Sequence, residues 1–70
     1  MNFSIGDKVF LSIPLRYLKT AQPMPMLRPP DLVSTSEIGE IVGLRNADIV
    51  EVRFRSGTFL IPTENLSASE

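Results

Sequence analysis

The sequence predicts an all-β fold, a small SH3-like barrel of four to five short strands. Three observations carry this. Apolar and polar residues alternate at a period of two in several short runs. Turn residues separate those runs at hairpin spacing. No stretch repeats apolar residues at helical spacing for the length a helix needs. A chain of 70 residues has room for one core, so residues 1–70 are read as a single domain. The ordered part is expected at about residues 4–66, with a frayed tail over 67–70.

In "DKVFLSI" (7–13), Val9, Leu11 and Ile13 share one face of an extended segment, and Lys8, Phe10 and Ser12 the other. A long first loop follows. In "GEIVGL" (39–44), Glu40, Val42 and Leu44 alternate with Ile41 and Gly43, and the inward face stays ambiguous. "RNAD" (45–48) is a turn whose side chains bond the local backbone. "VEVRFR" (50–55) alternates cleanly, with Val50, Val52 and Phe54 inward and Glu51, Arg53 and Arg55 outward. "RSGT" (55–58) sets Ser56-Gly57 between two strand-like runs as a hairpin loop. "TFLIP" (58–62) is a short strand ended by Pro62. "TENL" (63–66) reads as a single 3-10 turn begun by Thr63, with Leu66 dropping onto the core before a last short strand. An OB-like barrel is the weaker alternative, because it usually inserts a helix that this chain lacks.

The chain has no Cys and no His. That removes disulfides, zinc sites built from those residues, thiol chemistry and imidazole catalysis. No glycine-rich phosphate loop or nucleophile elbow occurs, and the carboxylates are scattered singly. The protein is therefore expected not to be an enzyme, and no metal or other cofactor is expected. Apolar runs fall far short of the roughly 18 residues of a membrane span. "MNFSIGDK" lacks the features of a signal peptide, and a small domain without disulfides suits a reducing cytoplasm, where the protein is expected; a monomer is expected as well. Net charge is −1 but uneven: residues 1–35 carry four bases against two acids, and residues 36–70 three against six.

The first loop holds the most unusual stretch, "KTAQPMPMLRPPDLV" (19–33), with four of the six prolines and two of the three methionines. Proline fixes φ and biases its predecessor toward extended backbone, so "PMP" and "RPP" are expected as polyproline II. Two readings remain open together. Met24, Met26 and Leu27 serve either as a lid over the barrel end or as a contact surface with Lys19 and Arg28 supplying charge. No Pro-x-x-P spacing occurs, which argues against the run being itself an SH3 ligand. The contact reading assigns Lys19, Thr20, Met24, Met26, Leu27, Arg28 and Asp31 to partner binding, with Pro23, Pro25, Pro29 and Pro30 stiffening the loop.

Through "VFLSIP", "YLKTAQPMPMLRPPDLV", "GEIV" and "VRFRSGTFLIPTENL", the chain resembles the SipA-like family of small cyanobacterial SH3-like regulators. The resemblance implies an SH3-like barrel and a non-catalytic regulator that docks on the ATP-binding region of the sensor histidine kinase NblS and modulates its autophosphorylation. Two departures stand out. The family commonly reads "GEEG" where this chain has Ser36-Glu37-Ile38-Gly39, and an aromatic-rich turn where it has Asn46-Ala47-Asp48-Ile49-Val50.

The alternative is a small structural SH3-like subunit of a photosynthetic electron-transfer complex, since such subunits share the strand pairing seen at Val52, Phe54 and Phe59. Nucleic-acid binding is disfavoured by the acidic second half, with Tyr17 the one stacking aromatic near the basic edge.

Overall fold

Residues 3–13, 15, 18–20, 27, 33–69 and the backbone of Arg28 are described in a computed structural model. Strand β5 (Ile49–Phe54) shows how the sequence makes the fold. Its branched and aromatic residues suit a pleated surface, and its period of two buries Val50, Val52 and Phe54 while Arg53 stays exposed. The flanking strands β4 (Ile38–Leu44) and β6 (Gly57–Pro62) pair with it antiparallel, giving a three-strand meander. Strand β1 (Lys8–Leu11) lies against β4, and the last strand β7 (Leu66–Ala68) against β1. On the far side, β2 (Leu18–Thr20) pairs with β6, and β3 (Leu27–Arg28) with β2.

The strand order is thus β3-β2-β6-β5-β4-β1-β7, with a 3-10 helix (Thr63–Asn65) between β6 and β7. First and last strands on one side of a meander, with the long first loop on the other, is the layout of the expected SH3-like barrel. The strands read from the sequence are β1, β4, β5, β6 and β7; β2 and β3 are two further short strands inside the first loop. Nearly every strand gives the core a buried residue, including Val9, Leu11, Leu18, Ile41, Val52 and Ile61. No helix among the described residues is long and apolar enough to cross a membrane.

Several details differ from the expected pattern, each for a physical reason. In β4 the register shifts between Ile41 and Gly43, so Val42 is an extra residue. This bulge breaks the alternation: Ile41 ahead of it faces the core opposite Val52, and beyond it Leu44 stands opposite Val50, exposed where the strand ends; it also bends the strand as a small barrel requires. That is why period counting left the inward face of β4 undecided. Ile13, expected beside Val9 and Leu11, is 53% exposed because β1 ends at Leu11. The backbone there turns to Asn65, whose carbonyl accepts Ser12 N–H at 2.8 Å and Ile13 N–H at 3.4 Å. The buried Asn65 side chain donates Nδ2–H to the Ile13 carbonyl at 3.2 Å, so this polar group is satisfied.

The β5–β6 loop lies one residue earlier than Ser56-Gly57. Phe54 pairs with Gly57, leaving Arg55 and Ser56 as the turn, and Gly57 enters β6 at φ +142°, a region L side chains rarely adopt. Thr63 does open the 3-10 helix, but Pro62 holds the cap position and no side chain caps it. Leu66 is buried as expected. Ser67 and Ala68, expected as tail, extend β7, and Ser69 N–H donates to the Lys8 carbonyl at 2.8 Å. Arg28, expected as polyproline II, is a residue of strand β3.

The 45–48 turn is held by one side chain. Asn46 Oδ1 accepts the N–H groups of Asp48 at 2.8 Å and Ile49 at 3.0 Å. Asn46→Ala leaves both donors to water and is expected to cost roughly 1 kcal/mol. A urea melt reads this as a lower midpoint with unchanged slope.

Candidate docking surface

The stem of the first loop is stitched into the sheet. Leu18 turns inward at 1% exposure, and alternation then points Lys19 outward. Lys19 pairs with Leu27 across β2 and β3, and residues directly opposite on antiparallel strands share a face. Leu27 is 64% exposed, so for this residue the lid reading is overturned. The loop instead gives the core Val33, which sequence reasoning missed. An exposed aliphatic side chain thus stands opposite an exposed cation. Thr20 sits next to them, half-buried and engaged in an interaction of its own. Met24, Met26, Asp31, Pro23, Pro25, Pro29, Pro30 and the Arg28 side chain lie outside the described residues.

A second feature lies on the outer face of β1, β4 and β5. Register sets Lys8 opposite Glu40, and Glu40 opposite Arg53. Glu40 Oε1 accepts from Lys8 Nζ at 3.0 Å and from Arg53 Nη2 at 3.3 Å. The Lys8 hydrogen bond, followed by its charge, lowers the Glu40 pKa; slight desolvation opposes this, and Arg53 adds to the lowering. The stability this gives is therefore present above the ordinary value of 4.5 and is lost as pH falls through the lowered folded value. Exposed pairs contribute little. Glu40→Gln is expected to lower the urea midpoint slightly at neutral pH, with the two proteins converging in acid. The next rung of this face pairs Phe10 with Ile38, which is 50% exposed. Alternation already placed Lys8, Phe10, Arg53 and Arg55 outward. Their assembly into one patch depends on cross-strand register, which the sequence alone does not display.

Among the described residues no group of three or more Asp or Glu stands where it would hold a metal ion. The pattern of the CRR42-like family, Protein CHLORORESPIRATORY REDUCTION 42-like, matches residues 5–66. No curated protein and no solved structure matches the chain. The family match overturns the SipA-like resemblance, and the kinase partner loses the resemblance that implied it. The segments that carried the resemblance fall within the matched range, and their physical content is a β pattern with a proline-rich stretch of sequence. That content specifies a barrel and does not specify what the barrel binds. The chain belongs to the CRR42-like family.

Proposed function

We propose that this protein is a small non-catalytic subunit of a photosynthetic electron-transfer assembly, serving chlororespiratory reduction by docking. The observation that carries this is the family match across residues 5–66, whose name refers to chlororespiratory reduction. The chain has neither Cys nor His, the side chains that commonly hold iron–sulfur clusters and haem. Its part is therefore to hold or help assemble the proteins that carry electrons. The absence of cysteine suits a reducing compartment, and we place the protein in the cytoplasm, entering the assembly as a monomer.

The contact we assign is the stem pair Lys19 and Leu27 with Thr20, continued by Met24, Met26, Arg28 and Asp31, with Pro23, Pro25, Pro29 and Pro30 limiting the entropy lost on docking. Loss of the protein from a photosynthetic host is expected to diminish chlororespiratory electron flow. Wild-type protein restores it, and a folded Lys19→Glu, Leu27→Asp variant does not. Undiminished electron flow in cells lacking the protein contradicts the reading.

A further inference from the structure

We propose that the outer face of β1, β4 and β5 is a second docking surface, taking an extended acidic segment of a partner protein that carries a bulky apolar side chain beside its carboxylates. The proposal rests on the reading of this protein as a docking module.

Two adjoining depressions meet at Ile38. The first is bordered by Lys8, Arg53 and Arg55, three cations against the single carboxylate of Glu40. Both Lys8 and Arg53 share one oxygen of that carboxylate, so their positive charge is only partly offset. Arg55 makes no side-chain ion pair among the described residues; its backbone N–H donates to Glu37 Oε2 at 3.0 Å. With Glu37 counted, cations still outnumber carboxylates. The excess is supplied by Lys8, which strand pairing brings from the basic half of the chain to Arg53 and Arg55, and it complements a negative ligand.

The second depression, about 610 Å³, is walled by Phe10, Ile38 and Ala68, with Thr35, Ser36 and Ser69 at its polar rim. It is shallow and open to solvent, so a large apolar side chain of a partner would lie against its floor. Ile38 projects between the two, half exposed on a strand whose opposite face fills the core. An apolar anchor next to a cationic border matches the usual anatomy of a protein contact, with an apolar centre and a charged rim. A segment lying across the strands from Ala68 over Ile38 toward Arg55 meets apolar surface first and cations second.

The test is an amide-resolved NMR titration with a synthetic peptide alternating Leu and Glu, about ten residues long to cross the face. Matched peptides alternating Leu with Gln and Leu with Lys serve as controls. Shifts are expected at residues 8–10, 38–40 and 53–55 with the Leu–Glu peptide, weaker ones with Leu–Gln, none with Leu–Lys. Added salt is expected to weaken binding. Arg55→Glu, which leaves the Lys8–Glu40–Arg53 row intact, and Ile38→Ser are each expected to weaken affinity about tenfold. The amide spectrum of each variant verifies its fold. Absence of shifts at millimolar peptide, equal binding of Leu–Gln, or indifference to Arg55→Glu overturns the proposal. Shifts confined to Lys19 and Leu27 also overturn it while leaving the docking reading intact; loss of that reading is seen instead as normal electron flow without the protein.

Discussion

Leu18→Ala is expected to cost about 2–5 kcal/mol, the range for truncating a buried leucine. A domain this small has a total stability on the order of 5 kcal/mol, so the loss takes from about two-fifths to all of it. The reason lies in how little holds β2. The strand has three residues, of which Leu18 is the one buried side chain, at 1% exposure. Its pairing with β6 involves Lys19 with Leu60 and Thr20 with Phe59. Removing the anchor leaves a cavity in the core and frees the stem that orients Lys19 and Leu27. Denaturation in urea measures the first effect, and amide exchange over β2 and β3 the second. A loss below about 1 kcal/mol is inconsistent with Leu18 as the anchor.

Gly39→Ala is expected to destabilise by roughly 1–3 kcal/mol through overpacking. A Cβ at Gly39 would stand 2.7 Å from Phe54 Cε1, 2.7 Å from Val52 Cγ1 and 2.9 Å from Phe54 Cδ1. Val52 is fully buried and has no free space in which to retreat, so the nearly buried Phe54 is the side chain that must give. The methyl group must displace the aromatic ring, and Phe54 also borders the depression beneath Arg53 and Arg55. The expected signature is a lower urea midpoint with large ring-current shifts around Phe54. A variant as stable as wild type, with the Phe54 ring unmoved, contradicts the close packing.

Local rules carried much of the fold. Strand β5 reads directly because both its faces obey one alternation, and its turn with β6 shows because Gly57 supplies a conformation other residues avoid. The 3-10 helix and buried Leu66 follow from Pro62 ending a strand. What stayed illegible was non-local or out of phase. The bulge at Val42 adds one residue and reverses the alternation, which period counting cannot foresee. Strand β2 forms because β6, some forty residues later, offers an edge, so prolines nearby were a poor guide. The site was partly legible. Lys19 and Leu27 are exposed and adjacent, whereas Ile38 and Glu40 join Lys8 and Arg53 through register alone. The misread family has a similar cause: a proline-rich stretch between β strands says little about the partner.

Size separation of gently solubilised photosynthetic membranes and their surrounding soluble fraction tests most directly whether this protein acts by docking. Wild-type protein is expected in a band far larger than its own 7.8 kDa, together with electron-transfer subunits. The Lys19→Glu, Leu27→Asp variant should run free of that band while retaining its fold. Wild-type protein migrating alone at its monomer size, under conditions that keep the electron-transfer complexes whole, contradicts the account.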